Sequence, residues 1–213
     1  LLGGLGHRVV TWLQRLISGN LDAIHATDLQ SPEEDYLGLL PFDGCFLRVL
    51  LFPYSKKSWQ LGNFSQALPQ AEKRRLLRAY RGLLVRHLEF CGEGRRLLSK
   101  NPSFSSWIPD LAAEFPDATF VALRRNPHEV VPSQLSSIRS GLKAFGYRPE
   151  DKQIVAHFME LLANYWNVIS EQKLLIPGHR FQLVEYSDFT KAPFSVVTDR
   201  LECLGYELSE HDR

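Results

Sequence analysis

The apolar positions of this chain fall into two rhythms that take turns along its length. One is helical. From Gln70 to Phe90, Leu76, Leu77, Leu83, Leu84 and Leu88 recur at helical spacing beneath a basic outer face, which predicts a long amphipathic helix. From Glu150 to Gln172, a second stripe is drawn by Phe158, Leu161, Leu162, Tyr165 and Val168. A shorter helical pattern, Pro193 to Leu204, stops at Gly205, a residue suited to a helix end. The other rhythm is the short apolar run. Thr119 to Leu123 (TFVAL) is apolar on both faces, and Phe181 to Tyr186 is the start of a similar segment, FQLVEYSDF; both predict strands, the first a buried parallel one. Phe46 to Phe52 is apolar at every position but Arg48, and periodicity leaves it open between strand and buried helix. Near the start, His7 to Ile17 reads as an amphipathic helix. Ser31-Pro32-Glu33-Glu34 reads as a helix N-terminus, with Ser31 the cap, Pro32 the first position and Glu34 the third. Strands that alternate with helices predict an α/β fold.

Composition narrows the class without naming a function. A chain of 213 residues with 44% hydrophobic and 23% charged residues predicts one globular domain over residues 1–213. The formal net charge of +1 gives no overall electrostatic pull towards nucleic acid or an acidic membrane surface. Cys45, Cys91 and Cys203 are widely spaced and belong to no metal-binding pattern; they read as reduced thiols, which points to a reducing, cytoplasmic compartment. No stretch approaches the roughly 18 to 20 apolar residues of a membrane span, and the opening residues lack a signal-peptide layout.

The chemistry concentrates at two corners. In FVALRRNPHEVVPS (Phe120 to Ser133), an apolar strand runs into Arg124 and Arg125, then into a helix start. Asn126 is a favourable cap, Pro127 fits the first helical position, and Glu129 completes a capping-box pattern. Arg125 thus leaves the carboxyl end of a strand where a helix begins, the edge at which open α/β sheets bind ligands. Upstream, RRLLSKNPSFSSWIPDL (Arg95 to Leu111) repeats the layout, with Lys100 in the place of Arg125. If both strands are parallel neighbours joined by a helix over Ser105 to Glu114, the two cations emerge on one sheet edge as an anion site. Pro132 lies inside the second helix and predicts a kink that turns Ser133 towards that edge. Arg124, Arg139 and Lys143 are either an enlargement of the basic pocket or solvated surface. Trp59, Trp107 and Trp166 read as core or groove-lining aromatics.

The segment LLSKNPSFSSWIPDLAAEFPDATFVALRRNPHEVVPS resembles the core of the sulfotransferases that use 3′-phosphoadenosine 5′-phosphosulfate (PAPS), in particular the bacterial-type branch. The similarity is most specific over Leu97 to Ser140 and extends weakly to SPEEDYLGLL and FQLVEYSDF. It implies a P-loop-NTPase-like three-layer α/β sandwich with a parallel central sheet. It also implies that Arg125 and Ser133, eight residues apart, hold the nucleotide 3′-phosphate. Lys100 matches the lysine that contacts the transferred sulfuryl group or the leaving phosphate oxygen. PAPS would be the co-substrate, with no metal, and the acceptor a hydroxyl or amine of a small molecule, carbohydrate or lipid. The family's Pro-Arg/Lys-Ser-Gly-Thr-Thr loop, which cradles the 5′-phosphosulfate, has no counterpart; Gly3-Gly4-Leu5-Gly6 is a weak substitute. The expectation is therefore a fragment without the N-terminal strand and loop. The general base stays open: Glu33, Glu34 and Asp35 are candidates or merely first-turn helix acids, His25 and His128 are alternatives, and Pro102 stands where animal cytosolic members carry a histidine. Two rivals accompany this reading. A kinase-like P-loop transferase would need GxxxxGK[ST], which the chain lacks, and a non-catalytic binding module would keep only the fold.

Overall fold

The computed structural model of the protein describes residues 34–92 and 94–207. The helix read at His7 to Ile17, the cap at Ser31 and the glycines at 3–6 lie outside these residues, as do His25 and Glu33. From Glu34 onward the chain enters a 3₁₀ helix, Asp35–Phe42. Three short helices follow, α1 (Arg48–Leu51), α2 (Lys56–Gly62) and α3 (Phe64–Ala67), then the long α4 (Gln70–Cys91). A second 3₁₀ helix, Pro102–Trp107, runs directly into α5 (Ile108–Glu114). Then come β1 (Phe120–Arg124), α6 (Pro127–Ala144), α7 (Lys152–Leu175), β2 (Phe181–Glu185), α8 (Tyr186–Lys191) and α9 (Pro193–Cys203). Within the run at Phe46 to Phe52, Arg48–Leu51 is helix: Val49 is buried and Phe46 and Leu50 pack partly buried against the core, while Leu47, Leu51 and Phe52 stay exposed, a spacing of three to four rather than the alternation of a strand.

Among the described residues the fold is a mostly helical α/β arrangement around a two-stranded sheet. β1 and β2 pair in parallel, with Phe120 opposite Phe181 and Arg124 opposite Glu185. A crossover through α6 and α7 joins them, as parallel pairing requires. Arg180 fixes one end of the pair. Its guanidinium donates to the carbonyls of Ala118 (3.1 Å), Ala112 (3.3 Å) and Phe115 (3.1 Å), satisfying three backbone acceptors at and beyond the end of α5 with one side chain. At the other end Arg124 pairs with Glu185. Ile108, Ala122, Ile176 and Phe181 pack one face of the sheet.

Two larger clusters surround this centre. Trp107, 2% exposed, is stacked between Phe64 (centroids 3.6 Å apart) and Phe104 (4.4 Å), and Leu39, Leu76 and Tyr80 close around them. Trp59, Phe158, Ile154 and Leu142 make the other. There α2 and α7 approach so closely that a Cβ on Gly62 would stand 2.6 Å from Leu161 Cδ1. Trp59 and Trp107 are core residues, as the sequence suggested.

Two expectations are corrected. The strand read before Lys100 is absent; residues 95–101 form neither strand nor helix. Gly92 and Gly94 adopt φ of +92° and +76°, Leu98 is 95% exposed, and side-chain bonds to Glu34 and Asp35 fix Ser99, Lys100 and Asn101 instead. Lys100 and Arg125 therefore do not leave neighbouring strands of one sheet. Next, β1 is buried on one face only: Ala122 is inside, while Val121 and Leu123 are 54% and 48% exposed. α6 continues as one helix through Pro132.

Candidate functional site

A cavity of about 690 Å³ opens at the carboxyl ends of β1 and β2, lined on one side by Arg124, Arg125 and Asn126 and on the other by Glu185, Tyr186 and Lys191. The local sequence explains its floor. β1 ends at Arg124, and Asn126 caps α6, its side-chain oxygen accepting from the backbone N–H of His128 at 3.0 Å. Pro127 takes the first helical position. The amides of that first turn lack helical partners and carry the positive end of the helix dipole. The cap and the Pro127 position follow the sequence reading, but the reciprocal half of the capping box is replaced. The Glu129 carboxylate accepts from Arg125 Nε at 2.9 Å, because a guanidinium is a stronger partner than a backbone amide.

Both arginines are oriented by stacking as well as by ion pairs. Arg125 lies over the Tyr186 ring, 4.7 Å from its centroid. Arg124 lies over Trp166 at 4.9 Å while pairing with Glu185. Aromatic faces attract guanidinium groups, so the two cations are held at the cavity without being buried in it. Arg124 belongs to the pocket; Arg139 pairs with Glu150 at 3.7 Å, and neither Arg139 nor Lys143 lines the cavity. Ser133 is exposed on α6 and does not line the cavity either. It stands four residues beyond Glu129, on the same helix face.

Lys100 occupies a separate polar cluster. Its side chain is 76% exposed and its ammonium pairs with Glu34. Next to it, Asp35 accepts from Tyr80 Oη at 2.6 Å and Ser99 Oγ at 3.2 Å, and from the Asn101 side-chain amide. Burial first, and the Asp35 carboxylate second, push the Tyr80 phenol well above its ordinary pKa, so Tyr80 stays a proton donor to Asp35 through the neutral range. Glu34 and Asp35 are thus committed partners within this cluster rather than idle first-turn acids. His128 is exposed. Of Lys100, Arg125 and Ser133, then, only Arg125 lines the cavity.

Trp166 lines the far wall, in keeping with its reading as a core or groove-lining aromatic; sequence reasoning missed the rest of that wall, Tyr186, Ser187, Thr190 and Lys191. A signal was available in EYSDF, because Tyr186 follows directly on the carboxyl end of β2, where a second parallel strand delivers its residues to the same edge as the first.

No curated protein and no solved structure matches this chain. The Sulfotransferase family profile does match it, over residues 11–210, and the chain belongs to that family.

Proposed function

We propose that this chain moves a sulfuryl group from PAPS to a hydroxyl or amine on a small-molecule, carbohydrate or lipid acceptor. The observation that carries the reading is Arg125, a guanidinium at the carboxyl end of a parallel strand, beside a capped helix start and stacked on Tyr186. Family membership supports sulfuryl transfer in general; this corner supports an anionic nucleotide as donor. The cavity volume falls in the range of about 300–1,000 Å³ usual for small-molecule sites. The whole fold that accompanies this reading is the P-loop-like three-layer sandwich, of which the parallel β1–β2 pair and its crossover are the supporting part. The free cysteines, Cys45 buried and Cys91 and Cys203 exposed, are in keeping with a cytoplasmic setting.

In this reading Arg125 exchanges its Glu129 partner for the nucleotide 3′-phosphate, and Ser133, one turn beyond Glu129, adds a hydroxyl. Trp166 and Tyr186 offer flat apolar walls suited to a base. An acceptor oxygen or nitrogen attacks sulfur in line. The sulfur–oxygen bond to the phosphate breaks, and the electron pair leaves on that phosphate oxygen. Lys100 supports the charge growing there, and the acceptor's proton passes to a base, for which Glu34, the carboxylate paired with Lys100, is a candidate once that ion pair opens. Positioning and fixed charge do the catalytic work.

Thermal stabilisation by 3′-phosphoadenosine 5′-phosphate, compared with 5′-AMP, tests the reading. At about 100 times its dissociation constant a ligand adds roughly 2.7 kcal/mol. The expected result is a shift that requires the 3′-phosphate and vanishes in Arg125→Ala. Equal shifts with both nucleotides, or a shift that survives in Arg125→Ala, would remove Arg125 from the phosphate site.

A further inference from the structure

The net charge of +1 conceals a steep local imbalance. Residues 73–100 carry nine Lys and Arg against two Glu, so this one segment holds a charge of +7 and the remainder of the chain −6. The segment comprises most of α4 and the coil that returns along it, with Ser99 Oγ 3.3 Å from Tyr80 Oη. Leu84 is the last α4 residue packed on the main core. The seven residues from Val85 to Cys91 extend about 10 Å past it.

Two features of this basic segment belong together. Arg74, Arg78, Arg86 and Arg95 are exposed and have no acidic partner among the described residues, whereas Lys73, Arg75, Arg81 and Lys100 are already paired with carboxylates. Arg96 instead lies over Tyr206, 4.9 Å from the ring centroid. The segment also presents apolar side chains to solvent: Phe90 is 91% exposed, Leu98 95% and Val85 47%. Charge alone would fit any polyanion. Fully exposed phenylalanine and leucine in one segment with unpaired arginines fit a surface that is both anionic and apolar beneath, and single signals of either kind bind membranes weakly.

We infer that this segment docks the protein peripherally on an anionic lipid surface, with Phe90 and Leu98 entering the headgroup boundary and the free arginines meeting lipid phosphates and carboxylates. Co-sedimentation of the full chain with phosphatidylcholine vesicles, made with and without phosphatidylserine, tests it. Pelleting should require phosphatidylserine and weaken as salt is raised. Arg86→Gln with Arg95→Gln should weaken partition by about tenfold or more, since each basic side chain at such a surface contributes several-fold. Phe90→Ser with Leu98→Ser should abolish pelleting while leaving the melting temperature and circular dichroism unchanged. No pelleting, equal pelleting with neutral vesicles, or a Phe90→Ser/Leu98→Ser protein that still pellets would each overturn the assignment. So would a fall in that variant's melting temperature, or concentration-dependent self-association that it abolishes, because the two side chains would then already be covered by protein.

Discussion

Glu129 offers a sharper probe of the proposed nucleotide corner than Arg125 itself, because its effect should carry the opposite sign. Arg125 Nε donates to Glu129 at 2.9 Å across one helical turn, and the two side chains are 35% and 55% exposed. Exposed pairs of this spacing contribute about 0.3–0.5 kcal/mol, which a phosphate binding to Arg125 must displace. A carboxylate left about 6 Å from that phosphate, in a dielectric near that of water, adds repulsion of about 0.7 kcal/mol. Glu129→Gln removes both, so 3′-phosphoadenosine 5′-phosphate should bind roughly fivefold more tightly. Arg125→Ala should weaken the same ligand by about ten- to a hundredfold, from the roughly 1.5–3 kcal/mol of a charge-assisted hydrogen bond. On the Arg125→Ala background, Glu129→Gln should gain less, since no ion pair remains to be displaced. Glu129 also sits in the first turn of α6, where a negative charge favours the helix. The ligand-free Glu129→Gln protein should therefore melt slightly below wild type while binding better. Calorimetric titration of the two single variants and the double variant reads all of this. A Glu129→Gln protein that binds the nucleotide no better, or worse, would refute the idea that the phosphate takes over the carboxylate's place on Arg125.

Trp107 fills the centre of the largest core cluster, and Trp107→Ala should cost about 3–5 kcal/mol, much of the roughly 5–15 kcal/mol available to a domain; an unfolding free energy from urea titration within about 1 kcal/mol of wild type would show that the stack with Phe64 and Phe104 matters little. Asp151 caps α7, accepting from the amides of Gln153 (2.9 Å) and Ile154 (3.2 Å) and from Tyr54 Oη (3.2 Å). These bonds, the Ile154 amide first, hold its carboxyl below the usual carboxylate range. Its contribution is therefore fully present above the unfolded pKa of about 4 and fades as pH falls through the lower folded value. Asp151→Ala should lower the melting temperature at neutral pH and flatten its decline in acid; parallel melting curves against pH for the two proteins would contradict the cap's role.

How much of this could be seen in the sequence depended on whether neighbours in the chain or neighbours in space decide the outcome. The helices α4, α7 and α9 were legible because their apolar stripes run over many turns, and their observed limits lie within a few residues of those predicted. The strand before Lys100 was not. Leu97 and Leu98 are an apolar pair like many strand fragments, yet strand identity requires a partner, and no described segment pairs with them. Two left-handed glycines and side-chain bonds from Asp35 determine that stretch instead. For the same reason β1 was read as buried on both faces. TFVAL is apolar throughout, but burial depends on what covers each face, and among the described residues only the Ala122 face is covered by the Ile108–Phe181 cluster.

The candidate site divides along the same line. Arg125, its cap and its helix could be placed from six consecutive residues, since a strand end, Asn-Pro and a first-turn acid are all local signals. The far wall comes from residues roughly sixty positions away, which parallel pairing brings opposite: Arg124 meets Glu185 in register, so the residue after each falls on the same edge, and Tyr186 slides beneath Arg125. That follows from register, not composition, and gives the aromatic ring a double duty. It holds the guanidinium by its face, where no proton donor or acceptor is consumed, leaving Arg125's hydrogen-bonding edge to the carboxylate now and to an anion later. A carboxylate in the position of Tyr186 would add a second negative charge beside Glu129 for any incoming anion to displace. An aromatic ring orients the guanidinium without one, which is what the proposed exchange of Glu129 for a phosphate requires.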